Sequence, residues 1–185
     1  MGIRCFLGLP LPESYQQGLE TISQCWRPRL RSKMSWTRKG NWHITLSFLG
    51  DISEDLLEQV QLRLETISRQ PFECQAGGAG FFPPGKEPRV LWIGLRTGQE
   101  SLQGLARDIE QTLLPLGFSP SRKSFQAHLT LARIRQNRKD EWQAVREDLQ
   151  ARQWPAFFAE SFVLWRSNLT PQGPEYSPIR VYRLA

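Results

Sequence analysis

The chain of 185 residues contains two histidines, and both begin the same short pattern. His43 opens His-Ile-Thr-Leu, and His128 opens His-Leu-Thr-Leu 85 positions later. On a strand, side chains two positions apart point to the same face, so each pattern presents one imidazole and one hydroxyl together. We therefore predict two equivalent polar pairs, His43 with Thr45 and His128 with Thr130.

Two such pairs facing each other across a cleft would suit displacement at phosphorus. An in-line displacement needs a base on the entering oxygen and an acid on the leaving oxygen, and histidine titrates near neutral pH. Threonine hydroxyls could donate hydrogen bonds to the non-bridging oxygens, where negative charge accumulates. The residue types indicate a metal-independent acid–base site.

Two other interpretations of the histidines compete with this one. A single His-x-Thr is usually part of an ordinary half-buried strand, but a matched pair favours a site. A two-histidine metal site would need a third protein ligand, and no Asp, Glu or Cys occupies a matching position beside either pattern. We therefore predict no bound metal and no cofactor.

Further matches at the same spacing indicate an internal repeat. Gln17-Gly18-Leu19 returns as Gln103-Gly104-Leu105, and Gly8-Leu9 returns as Gly94-Leu95, each 86 positions later. An ordered series of matches is typical of two copies of one structural unit. We predict one bilobal domain over residues 1–185, with repeats at about 3–80 and 89–167 and a closing strand at about 176–184.

Hydrophobic spacing predicts the same order of elements in both copies. Ser53 is the expected N-cap of the second helix. The fold class is therefore α+β, with two pseudo-twofold-related lobes, mainly antiparallel sheets facing a central cleft, and helices outside. The predicted strands are 4–9, 42–49, 72–79, 90–95, 125–133, 156–165 and 180–184, and the predicted helices are 13–26, 53–69, 100–114 and 140–152.

Composition limits the class of protein. No apolar run approaches the roughly 18 residues that span a bilayer, and the three cysteines lack disulfide or zinc spacing, so we expect a cytoplasmic protein and no membrane partner. The net charge of +6 would attract polyanions, although a merely solvated basic surface explains it equally well. Cations precede both histidine patterns: Arg27, Arg29, Arg31, Lys33, Arg38 and Lys39 precede the first, and Arg122 and Lys123 precede the second.

The segments around these patterns resemble one enzyme family along essentially the whole chain. The chain is similar to the RNA 2′,3′-cyclic phosphodiesterases of the 2H phosphoesterase superfamily, historically called 2′-5′ RNA ligases (LigT-like). The matching segments are Arg-Cys-Phe-Leu-Gly-Leu-Pro at 4–10, Asn-Trp-His-Ile-Thr-Leu-Ser-Phe-Leu-Gly at 41–50, Arg-Val-Leu-Trp-Ile-Gly-Leu at 89–95 and Phe-Gln-Ala-His-Leu-Thr-Leu-Ala-Arg at 125–133.

The resemblance implies hydrolysis of an RNA 2′,3′-cyclic phosphate end to a 2′-phosphate, with ATP-independent 2′-5′ joining as the reverse type of reaction. It also implies a role for each matched residue. His43 and His128 would be the catalytic pair, Thr45 and Thr130 the donors to phosphate oxygens, and Arg133 a further phosphate-binding residue. The partner would be RNA ending in a 2′,3′-cyclic phosphate, bound by a monomer.

Two positions and one assignment go beyond this pattern. Arg133 and Phe48 each lie five residues past a histidine, so a regular strand would turn both away from the cleft. A bulge or a strand end would have to redirect Arg133, and Phe48 could either stack on a base or pack in the core. Release of O3′ requires an acid beside O3′, and we predict His43 as the proton donor and His128 as the proton acceptor. The two patterns are nearly identical, so the opposite assignment stays open at the level of sequence.

Two alternative functions stay open at the level of sequence. The same site could act on another cyclic phosphate or on a 2′-5′-linked nucleotide. The chain could also be an RNA-end binding module that holds the phosphate without turnover.

Overall fold

The computed structural model describes residues 2–85, 87–120, 124–171 and 173–185. Arg122 and Lys123, two of the predicted cations, lie outside the described residues. Within the described ranges, no helix is both long enough and apolar enough to cross a membrane.

The described residues form strands and helices in the predicted alternation, which confirms the α+β class. The helices are α1 (Glu13–Trp26), α2 (Glu54–Leu64), α3 (Gln99–Leu113) and α4 (Trp142–Ala151). The strands are β1 (Ile3–Pro10), β2 (Lys33–Trp36), β3 (His43–Ile52), β4 (Phe72–Phe82), β5 (Val90–Thr97), β6 (Leu129–Gln136), β7 (Phe157–Ala159), β8 (Ser161–Thr170) and β9 (Gly173–Arg183).

The strands are joined into one antiparallel sheet whose order is symmetric about its centre. The order is β7-β4-β5-β6-β3-β1-β8-β9, and β2 pairs with β6 beyond the end of β3. The two strands that carry the histidine patterns, β3 and β6, therefore meet in the middle. On either side of them lie β1 and β5, and then β8 and β4.

Each half of the sheet contains a strand from the other half of the chain. β4 pairs with β5, for example through Phe81 and Leu91, although β4 follows α2 in the first half. β8 pairs with β1, for example through Leu164 and Leu7. This exchange is what two interlocked copies of one unit would produce, and the repeat boundaries themselves stay a prediction.

One hydrophobic core lies on the helix-covered face of the sheet. The α1 residues Leu19 and Ile22 are buried there together with Ile44 of β3 and Leu129 of β6. Burying one such aliphatic side chain stabilises the fold by about 1.5–3 kcal/mol. Because His43 and Thr45 alternate with the core residues of β3, they lie on the opposite face of the sheet.

The ends of α2 follow from its sequence. The Ser53 hydroxyl accepts a hydrogen bond from the Leu56 amide at 3.2 Å, which confirms the predicted N-cap. The helix ends at Leu64 rather than at residue 69, because the amide and the hydroxyl of Thr66 both bond to the Arg63 carbonyl. These bonds close the last turn early.

Three strand predictions differ from the structure. The strand predicted at 125–133 begins at Leu129, and the one predicted at 180–184 is the last part of β9, which begins at Gly173. The strand predicted at 156–165 is two strands, because β7 pairs with β4 whereas β8 pairs with β1. The short strand β2 was missed, although Met34 and Trp36 alternate with polar residues as in a half-buried strand.

Candidate active site

The four predicted polar residues are brought together by the contact between β3 and β6. These strands are antiparallel and join through the pair Ile44 and Leu129, the residue after each histidine. In this register, His43 lies opposite Thr130 and Thr45 lies opposite His128. The two His-Thr pairs are thus crossed about an approximate twofold axis through the Ile44–Leu129 pair.

The His43 imidazole is held by hydrogen bonds at both ring nitrogens. Nδ1 lies 2.8 Å from the Asn41 carbonyl oxygen, and Nε2 lies 3.0 Å from Thr45 Oγ1. A carbonyl oxygen can only accept, so Nδ1 carries the hydrogen, and in the neutral ring Nε2 is the basic nitrogen. Nε2 then accepts its hydrogen bond from the Thr45 hydroxyl.

Aromatic side chains surround the His43 ring. The ring centroids of Phe6, Tyr176 and Trp165 lie 4.7, 5.4 and 5.5 Å from it. Burial among these rings lowers the pKa of His43 from 6.5 to about 4, against the hydrogen bond to Asn41, which raises it. A positive charge on His128 lowers this pKa further, so the two imidazoles share one electrostatic site.

His128 has the same arrangement in the second half. It stands just before β6, with Nδ1 2.8 Å from the Gln126 carbonyl oxygen, so its Nε2 is also the basic nitrogen of the neutral ring. Phe82 lies 5.1 Å from its ring. Burial lowers the pKa of His128, the hydrogen bond to Gln126 raises it, and the charge of Arg133 lowers it further.

Matching β-bulges turn Arg133 and Phe48 onto the cleft face. β5 pairs Leu91 with Ala132 but Trp92 with Thr130, which leaves Leu131 as an extra residue in β6. In the same way, the pairing of β1 with β3 leaves Leu46 as an extra residue between Thr45 and Ser47. Each bulge shifts the alternation by one residue. Arg133 therefore shares a face with Thr130, and Phe48 shares a face with Thr45.

Arg133 and Phe48 occupy equivalent positions in the two halves, 85 residues apart. Phe48 is 71% exposed, so it is not a core residue, and its ring lies 6.2 Å from that of Phe6. The first histidine pattern is therefore followed by an exposed aromatic ring, and the second by an exposed guanidinium group. At these two positions the backbone of the two halves is equivalent, but the side chains differ in chemistry.

The cleft has a volume of about 1240 Å³ and is lined by five of the six predicted site residues: His43, Thr45, Phe48, Thr130 and Arg133. The sixth, His128, is not among these lining residues and lies opposite Thr45 in the β3–β6 pairing. Within the described ranges, no group of three or more His, Cys, Asp or Glu side chains could hold a metal ion.

The sequence did not single out the residues that enclose His43. Trp165 and Tyr176 come from β8 and β9. The side-chain nitrogen Nδ2 of Asn41 donates to the Pro174 carbonyl oxygen at 2.7 Å, which ties the start of β9 to a residue beside His43. Of these enclosing residues, Phe6 could have been found from the repeat. It lies 86 residues before Trp92, whose ring is near that of His128, so the two aromatic residues occupy equivalent positions beside the two histidines.

The predicted basic residues are divided between the cleft and the surface. Arg27, Arg38 and Lys39 line the cleft, and Lys39 also bonds to Glu13 at 2.6 Å. Arg31 approaches Asp140 at 3.8 Å instead. Thus the sequence correctly indicated a basic flank, but only part of the basic stretch forms it.

Comparisons with known proteins agree with this geometry. The family described as LigT like phosphoesterase matches the chain twice, at residues 9–92 and 93–176. An RNA 2′,3′-cyclic phosphodiesterase of Archaeoglobus fulgidus is 37% identical over 142 residues, covering 77% of this chain and 79% of that protein. One of Aquifex aeolicus is 30% identical over 185 residues, covering 98% and 97%.

Among solved structures, the protein TT0787 of Thermus thermophilus superposes with a TM-score of 0.80 at 26% identity, and the match covers 98% of both chains. The family matches the chain once in each half, and each matched range contains one of the two His-Thr pairs. The predicted relationship to this group of enzymes is confirmed, and the chain belongs to the LigT-like phosphoesterase family.

Proposed function

We propose that this protein hydrolyses RNA 2′,3′-cyclic phosphate ends to 2′-phosphates without a metal ion. One observation carries the proposal: the Ile44–Leu129 pairing crosses two imidazoles and two hydroxyls around one point. The relatives named RNA 2′,3′-cyclic phosphodiesterases support the choice of substrate.

In this reaction, water attacks phosphorus opposite O3′, and the P–O3′ bond breaks. Nε2 of one neutral imidazole accepts the proton of the water, and Nε2–H of the other, protonated imidazole gives its proton to O3′. The products are a 2′-phosphate and a free 3′-hydroxyl. The acid and base exchange protonation states in each turnover, and solvent restores them.

Charge asymmetry favours His128 as the proton acceptor and His43 as the donor. Burial lowers the pKa of both rings, but His128 alone also has the guanidinium of Arg133 opposing a positive charge on it, and we assign it as the base for this reason. His43 has a low pKa mainly because its charged form is desolvated, and a phosphate anion placed beside it would offset that cost. His43 would therefore take up its proton together with the substrate.

Thr45 gives this proton uptake a second effect. When His43 is neutral, the Thr45 hydroxyl donates to Nε2 at 3.0 Å. When Nε2 is protonated, it becomes a donor itself, and the hydroxyl hydrogen is free to turn to a non-bridging phosphate oxygen. Thr130 faces the same point from β6, and Arg133 supplies a positive charge for the phosphate.

The proposal is tested with oligonucleotides that end in a 2′,3′-cyclic phosphate, with identification of the terminal phosphate formed. His43→Ala and His128→Ala should each lower kcat/KM by about 10²–10⁴-fold, and activity should persist in EDTA. Thr45→Ala should also lose activity, whereas Thr21→Ala, the same change on the exposed side of α1, should not. Loss of activity on chelation, or a 3′-phosphate product, would contradict the mechanism.

The same assay separates the alternative functions. A preference for a small cyclic nucleotide or for a 2′-5′ linkage would change the substrate but keep the site, and unchanged RNA ends would indicate a binding module. Joining of 2′-5′ ends, a monomeric state and a cytoplasmic location stay predictions. Joining is measured with a 5′-hydroxyl oligonucleotide in excess, and the monomer by light scattering.

A further inference from the structure

The cleft is larger than the phosphate site requires. Pockets for drug-sized ligands have volumes of about 300–1,000 Å³, whereas this cleft has about 1240 Å³. Its additional part runs from Thr130 and Arg133 across the neighbouring strand β2. We call this part the β2 groove; it is lined by Arg27, Met34, Ser35, Trp36, Arg38 and Arg135.

Strand pairing connects the β2 groove directly to the phosphate site. Ser35 pairs with Arg133, so both side chains lie on the cleft face, whereas Trp36 pairs with the buried Ala132 and lies on the other face of β2, partly packed against the core. The groove therefore begins about one strand spacing, roughly 4.8 Å, from Arg133 and continues past the edge of β2 to Trp36. Arg135 Nε donates to Ser35 Oγ at 3.0 Å, which fixes that guanidinium along β2. A chain leaving the phosphate site in this direction would pass over β2.

The charge of the groove suits a polyanion. The described lining of the whole cleft contains six cations, Arg4, Arg27, Arg38, Lys39, Arg133 and Arg135, and one carboxylate, Glu20. Within the described part of the chain, Arg27, Arg38 and Arg135 form no ion pair with a carboxylate, so their charge is available to a ligand.

The groove also contains a flat aromatic surface. Trp36 is half-buried, and the exposed Arg27 places its guanidinium 5.9 Å from the centre of the Trp36 ring. Cationic grooves that combine guanidinium planes with aromatic rings are the usual means of holding single-stranded RNA, because unstacked bases can lie on both.

We propose that the β2 groove binds the nucleotides on the 5′ side of the cyclic end, so that the preferred substrate is RNA whose last few nucleotides are unpaired. The inference rests on the proposed function for the location of the RNA end. In this arrangement Trp36 and Arg27 stack on a base, and Arg135 and Arg38 contact the backbone phosphates.

The first test compares kcat/KM for a cyclic mononucleotide and for single-stranded oligonucleotides of two, three and five nucleotides with the same terminal base. We expect kcat/KM to rise about tenfold with length, as one stacked base provides. Trp36→Ala should abolish the rise and leave the mononucleotide unaffected, and Trp36→Phe should retain it. Equal kcat/KM at all lengths, or an equal loss on every substrate, would overturn the proposal.

Charge variants use a matched control. Arg27→Gln and Arg135→Gln should weaken only the longer substrates and reduce the slope of log affinity against log salt by about 0.7 for each phosphate that is no longer neutralised. Arg146→Gln removes the same charge from the exposed surface of α4 and should change neither. An equal effect of all three variants would indicate general electrostatic attraction rather than a groove.

A separate binding measurement tests the β2 groove independently of the proposed catalytic activity. Fluorescence anisotropy of labelled oligonucleotides that end in a 2′-phosphate measures affinity for wild type and Trp36→Ala without any turnover. If no substrate is cleaved but affinity still depends on length and on Trp36, then the proposed catalytic function is wrong and the proposed binding of RNA in the β2 groove is supported. If a hairpin with a fully paired end is bound as tightly as an unpaired end, the single-strand proposal is wrong.

Discussion

The enclosure of His43 by aromatic rings predicts a specific pH dependence of stability. Burial among Phe6, Trp165 and Tyr176 lowers the pKa of His43 from 6.5 to about 4 in the folded protein. The unfolded chain, whose histidines titrate near 6.5, then binds this proton more tightly than the folded protein does. The stability is complete above about pH 6.5 and is lost as the pH falls toward 4.

The size of the effect follows from these two pKa values. One unit of pKa corresponds to about 1.4 kcal/mol, so the full loss below pH 4 is roughly 3 kcal/mol. Between about pH 7.5 and pH 5 the loss is about 2 kcal/mol. His43→Gln removes this titration and leaves every carboxylate of the chain in place.

The assay is urea unfolding of wild type and His43→Gln at a series of pH values. The difference in unfolding free energy between the two proteins should change by about 2 kcal/mol over this range, with wild type losing more. The chain has two histidines, so the imidazole signal that disappears in the variant also assigns the NMR titration of His43. Parallel pH profiles, or titration of His43 near 6.5, would refute the account of its burial.

Three further variants test other parts of the structure. Arg133→Gln should raise the pKa of His128, seen in its NMR titration, and lower kcat/KM by about 10–100-fold, because the substitution removes a charged hydrogen bond to the phosphate. Gly8→Ala would place a methyl group 2.7 Å from a backbone carbonyl oxygen of β3 and 3.2 Å from His43 Cδ2, so kcat should fall by about a hundredfold as the ring is displaced. Ser53→Ala removes the N-cap of α2 and should cost about 1 kcal/mol in urea unfolding with kcat unchanged.

Local periodicity carried most of what the sequence could predict. The predicted helix 13–26 coincides with α1, and the His-Thr pairs lie on the face opposite Ile44, as an alternation of period two requires. Both results depend on residues close together in the chain. The repeat added the symmetry that brings the two patterns to one point.

Features that depend on strand pairing were not predictable in this way. The bulges at Leu46 and Leu131, which turn Phe48 and Arg133 into the cleft, arise from the register with β1 and β5 and leave no local pattern. The aromatic enclosure of His43 likewise needs β9, whose register against β8 places Tyr176 more than a hundred residues from the imidazole that it contacts.

The exchange of β4 and β8 between the halves makes the protein a natural candidate for reassembly from two fragments. If the chain is cut between β4 and β5, the first fragment exposes the edge of β1 that β8 normally covers, and the second exposes the edge of β5 that β4 covers. Neither fragment then contains a complete sheet or both histidines. Mixed together, each supplies the strand that the other lacks, so phosphodiesterase activity from co-expressed fragments would report directly on their association.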